Sequence, residues 1–366
     1  VPGLALINYA FGFTSSWFAF AAPLVPEILG HHLGAVTNGF VFFLAALHLL
    51  IALFHFRVKD CRVVDGFAIA VYLPIVAIYT ATLFTASPIL VSFSPDVPVT
   101  LLVGMIAWTI LGIKEADRKS QFSSRTTELR SAIFDVKMLP LVLGLGAFSF
   151  KLSAMPALAI VLLFYGFEVR FALKKLSIAA ALAIVLSAPM LGYGVMTSAC
   201  PLFPSTKICL DLPWRYPEEI ANKHLRETKV LNLEESESSN STSALVQRFL
   251  WIRTQRKMQI MLLLYAASIG VSLRWFFSNQ YKIEAGLLWV SGLGLLGMTF
   301  IIFYAPLIRF GLIYFIVIPA LFFARLATSQ VNAAPERFSI SSRFSSFLYR
   351  VGIGVTCLLF LILGQR

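Results

Sequence analysis

Holding a charge beside hydrocarbon costs about 3 kcal/mol or more, so the ionisable residues that border this chain's apolar runs are the first candidates for chemistry. Lys151 stands in Phe150-Lys151-Leu152-Ser153-Ala154-Met155-Pro156 with apolar runs on both sides. It reads either as a snorkelling lysine or as a recessed cation held for a ligand. Arg309 follows Tyr304-Ala305-Pro306-Leu307-Ile308 in a turn too tight to reach far into water. Its guanidinium must therefore find an anion, a carbonyl or the headgroup layer. Asp96, in Ser94-Pro95-Asp96-Val97-Pro98, reads as an N-cap for the apolar run that follows, which leaves room for a second role. Brought together, Lys151 and Arg309 would offer two positive charges to a phosphate, with Ser94, Asp96 and Ser153 as polar neighbours.

Ser15, Ser16 and Trp17 read as the hydroxyl-rich start and aromatic face of an interfacial helix facing the same cavity. Glu27, His31 and His32 fit a solvated loop as well as they fit proton transfer. Of 4 cysteines, Cys61 and Cys357 lie at or within apolar segments, while Cys200 and Cys209 either close a small disulfide loop or remain thiols. No C-x-x-C pair, H-E-x-x-H or Walker-type run occurs, so no metal site and no resident cofactor is expected, with a divalent cation left open. The triplet Asn240-Ser241-Thr242 matches a glycosylation sequon but lies in a Ser-rich stretch that yields such triplets by chance.

The elements that must carry these residues follow from composition. With 58% hydrophobic residues, 13% charged and a mean hydropathy of +0.81, too little polar surface exists to cover a water-soluble globule. Apolar runs without period-2 alternation satisfy their backbone as helices rather than as a barrel. The expected fold is an all-α polytopic transmembrane bundle. Long spans are predicted over 35–56, 66–86, 97–113, 177–199, 258–277, 284–305, 310–327 and 351–364. The runs 138–150 and 153–167 are too short to cross alone and read as a hairpin of short helices with Lys151 at its tip, for about ten membrane segments in all.

Basic residues orient the bundle. Arg57, Lys59 and Arg62, then Lys114, Arg118 and Lys119, then Arg170, Lys174 and Lys175, then Arg337, Arg343 and Arg350 all fall on one face if the spans alternate, and that face is cytoplasmic. The net charge of +12 is then topology and contact with anionic lipid, not nucleic-acid binding. The organisation expected is an extracytoplasmic or interfacial segment 1–34, a first helix group 35–199, an extracytoplasmic loop 200–257 with an interfacial helix at 246–257, and a second helix group 258–366. Stretch 234–243 is rich enough in Ser and Glu to be disordered. A start at Val1 and an apolar run close to the last residue read as interior cuts at both ends.

In order along the chain, Val1-Pro2-Gly3-Leu4, Gly12-Phe13-Thr14-Ser15-Ser16-Trp17-Phe18, Ser94-Pro95-Asp96, Lys151-Leu152-Ser153-Ala154, Cys200-Pro201-Leu202-Phe203-Pro204-Ser205 and Pro306 through Arg309-Phe310-Gly311 resemble a family of bacterial multi-spanning proteins similar to the GT-C glycosyltransferase superfold. The resemblance implies an enzyme in the bacterial inner membrane. It would take a sugar from a polyprenyl-phosphate carrier on the extracytoplasmic side, with Lys151 and Arg309 on the carrier phosphate. Its partners would be the lipid-linked donor and membrane lipids. It also places the catalytic base just upstream of Val1, leaving Asp96 to position donor, acceptor or ion. Ala199-Cys200 and Leu307-Ile308 depart from the family's pattern. The alternatives are a lipid or polysaccharide transporter or flippase, and a lipid-linked polymer ligase.

Overall fold

Gly, Pro and polar clusters punctuate the apolar runs, and the chain turns at those points. The computed structural model describes residues 2–7, 12, 15–21, 34–58, 62–82, 94–122, 136–229, 256–277, 285–304 and 308–333. Within them lie α1 (Leu4–Ile7), α2 (Ser16–Ala21), α3 (Gly34–Val58), α4 (Val63–Thr82), α5 (Asp96–Phe122), α6 (Leu139–Phe150), α7 (Met155–Glu168) and α8 (Leu173–Ser198). They are followed by α9 (Glu218–Lys229), α10 (Arg256–Phe277), α11 (Ala285–Tyr304) and α12 (Ile308–Ala333). Three-residue 3₁₀ turns, Val136–Met138 and Leu152–Ala154, precede α6 and α7. No strand occurs among the described residues.

Among the described residues six helical stretches are long and apolar enough to cross a membrane: Val36–Phe56, Val63–Ala81, Asp96–Arg118, Leu173–Ser198, Ala285–Tyr304 and Arg309–Leu326. By length and composition the chain is a multi-pass helical membrane protein. Val136–Phe150, Leu152–Glu168 and Gln259–Arg274 are shorter apolar helices. The expected span over 351–364, the stretch 234–243, the sequon at Asn240 and Glu27, His31 and His32 lie outside the described residues. So does the expected interfacial helix, save Arg256 and Lys257, which open α10.

The spans over α4 and α5 are 72% and 78% buried and form the centre, whereas those over α3 and α8 are 22% and 17% buried and form the rim. Lipid is as apolar as leucine, so the centre is held by close packing rather than by hydrophobic segregation. The contact of α11 with α12 shows how: a Cβ at Gly297 would come within 2.0 Å of the Tyr314 ring, and one at Gly311 within 2.3 Å of Ile301. Only hydrogen at these positions lets the two helices approach this far.

The α6–α7 hairpin is longer than its two apolar runs suggest. Each leg gains a 3₁₀ turn, bringing it to about 24–27 Å against a hydrocarbon core of about 30 Å. Pro156 explains the break between the legs, because its ring excludes the carbonyl four residues earlier and lacks an N–H, yet suits the first turn of a new helix. The hairpin is pinned to α5 at both ends. At the base, Lys137 Nζ lies 2.7 Å from Glu168 Oε2, Lys114 pairs with the same carboxylate, and Asp117 stands 3.8 Å from Lys114. At the tip Lys151 pairs with Asp96. From Asp96 to Lys114 the axis of α5 advances about 27 Å, so the hairpin runs alongside it over nearly a full membrane depth.

Candidate functional site

Helix α5 begins with Ser94-Pro95-Asp96, and the division of labour there differs from the expected capping by Asp96. The Asp96 backbone N–H donates to Ser94 Oγ at 3.3 Å, so serine caps the helix. Released from that task, the Asp96 carboxylate turns towards the hairpin and pairs with Lys151. Two neighbouring helices fix the position. Asn38 Nδ2 on α3 donates to the Ser94 carbonyl at 3.1 Å. Tyr79 on α4 donates to Thr100 Oγ1 at 3.1 Å, and Thr100 donates to the Asp96 carbonyl at 2.7 Å.

Lys151 has extended backbone, φ −159° and ψ 133°, between the end of α6 and the following 3₁₀ turn. Its side chain is 21% exposed and that of Asp96 is 9% exposed, so the pair is largely withdrawn from solvent. The Lys151 ammonium also sits 3.7 Å from the centre of the Phe310 ring. The Arg309 guanidinium lies 4.9 Å from the same ring centre. The two cations singled out in sequence therefore meet on one aromatic ring, although 158 positions separate them in the chain. A ring's negative face favours that approach by about 0.5–2 kcal/mol per cation. Asp96 neutralises one of the two charges, and among the described residues no carboxylate lies within salt-bridge distance of Arg309. Counted over the described residues, the site thus carries one surplus positive charge.

Ser15 and Ser16 reach the same end of the bundle, where their hydroxyls meet backbone. Ser15 Oγ donates to the Phe150 carbonyl at 2.7 Å, and Ser16 Oγ to the Ser149 carbonyl at 2.9 Å. Both acceptors belong to the last turn of α6, whose carbonyls have no partner further along their own helix. Trp17 packs edge-on against Phe150 with ring centres 4.9 Å apart. These three residues hold the segment that presents Lys151. Ser153 is 8% exposed, and its hydroxyl has no hydrogen-bond partner among the described residues. Its carbonyl accepts from Tyr314 at 3.2 Å, which ties the tip to α12.

Cys200 and Cys209 are joined in a disulfide. The loop closes over Phe203, which is fully buried against Tyr216, with ring centres 5.2 Å apart. Ala5 of α1 belongs to the same apolar cluster. The Gly3 backbone N–H donates to the Met196 carbonyl at 2.9 Å, anchoring α1 to the end of α8. The disulfide braces the site's end of the molecule.

Sequence reasoning did not find Phe310, Tyr314, Asn38, Thr100 or Tyr79 as site residues. Phe310 carried the only available signal, its place beside Arg309. Among the described residues no three His, Cys, Asp or Glu gather as a metal would need.

The fold and this cluster define a multi-pass helical membrane protein with a partly neutralised cationic centre at one end of its bundle. The chain belongs to the family of the domain of unknown function DUF8201, which matches residues 1–316. No match to the chain was found among curated proteins or among solved structures.

Proposed function

We propose that this protein is a glycosyltransferase-like membrane enzyme of GT-C type. It would handle a polyprenyl-phosphate-linked sugar at the end of the bundle that holds Lys151 and Arg309. The observation that carries the reading is the convergence of the two cations on Phe310, with Asp96 paired to Lys151. A carrier phosphate leaving its sugar gains charge, and positioned cations in a water-poor site stabilise that charge far better than water does. Arg309, exposed and without an acidic partner among the described residues, presents a planar fork suited to two phosphate oxygens. Lys151 adds a point charge held in place by Asp96, and the buried Ser153 hydroxyl two residues away supplies a donor that has no partner among the described residues.

On this reading the cluster lies on the extracytoplasmic side of a bacterial inner membrane. The basic residues Arg62, Lys114 and Lys137 collect at the opposite end, where positive charge faces the cytoplasm. On this reading Asp96 orients Lys151 rather than accepting a proton.

Purified full-length protein in detergent should bind undecaprenyl phosphate at least about tenfold more tightly than undecaprenol, the worth of one charge-assisted hydrogen bond. Equal binding of the two by native mass spectrometry would remove the phosphate site and with it the transferase reading. Binding without any sugar transfer from a lipid-linked donor would favour a flippase for the same carrier.

A further inference from the structure

Helix α1 and the loop closed by the Cys200–Cys209 disulfide carry large apolar side chains that the molecule itself does not cover. Leu6 and Ile7 of α1, and Ile208 and Leu210 of the loop, are between 49% and 76% exposed. Backbone bonds set both pairs against one end of α8. The Gly3 N–H donates to the Met196 carbonyl, and the Leu210 N–H donates to the Ala199 carbonyl, each at 2.9 Å. Trp214 stands between them: its indole N–H donates to the Val195 carbonyl at 3.0 Å, and its Cβ would touch one built on Gly3. An exposed apolar patch of this kind marks a surface that something covers.

The flank of α8 shows what the cover is. Ile178, Val185 and Met196 lie on one face of that helix by their spacing, and each is more than half exposed. The span as a whole is only 17% buried, so this face meets lipid, and the patch continues it past the end of the helix. Depth agrees. From Lys174 to Ser198 the axis of α8 advances about 36 Å, or about 34 Å along the membrane normal at a tilt of about 20°. The hydrocarbon core is about 30 Å thick, so with Lys174 in one headgroup layer Ser198 reaches the other. The unit attached there stands where headgroups meet acyl chains.

Charge of both signs rings the patch: Lys207, Asp211 and Arg215 are exposed, and Arg215 stands 3.8 Å from Glu218. Zwitterionic headgroups match that mixture, and no acidic lipid is needed. We propose that α1 and the disulfide-closed loop 200–210 form a seat in the bilayer itself. Leu6, Ile7, Ile208 and Leu210 lie among the first acyl carbons of the adjoining leaflet, with the charged residues at headgroup level, as in segments that lie in a membrane surface. The seat is one packed contact away from the segment that holds Lys151. A Cβ at Gly12 would come within 2.7 Å of the buried Phe203 ring of the loop, and three residues later Ser15 holds the Phe150 carbonyl. The inference uses neither the transferase reading nor a bound carrier.

The test is spin-label accessibility in full-length protein reconstituted into bilayer discs of palmitoyl-oleoyl phosphatidylcholine. Ile208→azidophenylalanine and Ile7→azidophenylalanine, made separately, each take one nitroxide without adding a thiol beside the disulfide. Both side chains are well exposed, so neither change should move the melting temperature, and if one variant melts early the other carries the measurement. Collisions of the label with oxygen, which dissolves among acyl chains, should be severalfold more frequent than with a water-soluble nickel chelate. The same order is expected for Val185→azidophenylalanine on the lipid face of α8. A nickel rate equal to or above the oxygen rate at positions 7 and 208 would put the patch in water. Low rates with both reagents there would mean that a second copy or another protein covers it. Either result overturns the proposal and leaves the undecaprenyl phosphate result unaffected.

Discussion

Lys151 and Arg309 share a ring but not a dependence on their surroundings, and this separates their roles by measurement. Lys151 partners a carboxylate that is 9% exposed, so Lys151→Ala leaves a buried, uncompensated charge and should cost about 3 kcal/mol of stability. Arg309 is exposed and pairs with no acid among the described residues, so Arg309→Gln loses only its contact with the Phe310 ring and should cost about 0.5–1 kcal/mol. Thermal melts of both variants in one detergent check this contrast. Equal losses would show that Arg309 is also a structural residue. The three charged members of the cluster were visible in sequence because charge beside an apolar run is rare. Phe310 and Tyr314 were not, because nothing marks one aromatic among 33 phenylalanines and 11 tyrosines as a site residue until the helices are packed. Ser15 and Ser16 were found for their hydroxyls, but the carbonyls that take those hydroxyls lie at the end of a helix more than 130 residues away.

At the scale of elements, the site depends on how the end of α6 is finished. Ser15→Ala and Ser16→Ala each remove a hydrogen bond to a terminal carbonyl and should cost about 1 kcal/mol apiece. Amide exchange in the last turn of α6 should rise with them, whereas unchanged exchange would mean that water replaces the serines at no cost. The contact of α11 with α12 bears on the same tip through Tyr314. Gly297→Ala would push a methyl into that ring and should destabilise by about 1–3 kcal/mol, seen as a lower melting temperature. The existence of these helices was legible from hydropathy alone, but their ends were less so. Helix α8 starts at Leu173, which places Lys174 and Lys175 inside it. The hairpin's reach was hidden as well, because its 3₁₀ turns add length that a count of apolar residues does not include. The expected break at Lys151 was legible, since the apolar runs on either side of it are each too short to cross a membrane alone.

Over the whole molecule, ion pairs mark two ends: Asp96 with Lys151 at one, and Arg62, Lys114 and Lys137 with Asp65 and Glu168 at the other. Charge parity in the sequence predicts Arg62 and Lys114 on one face, and the described ion pairs hold both away from the Asp96–Lys151 end. It left open what those charges do, since function lies in a site and not in the fold that carries it. In a background without other cysteines, Ser205→Cys should react with a membrane-impermeant maleimide added to intact cells, and Ala116→Cys only after lysis. Labelling of both from the same side would overturn the topology.

The most direct test of the phosphate site is the affinity of undecaprenyl phosphate for full-length protein carrying Arg309→Gln, a change that should leave the fold intact. Loss of one charge-assisted contact predicts a dissociation constant about tenfold weaker than that of the unaltered protein, with undecaprenol binding unchanged. An unchanged constant for undecaprenyl phosphate, in Arg309→Gln and in Lys151→Ala alike, would contradict the account.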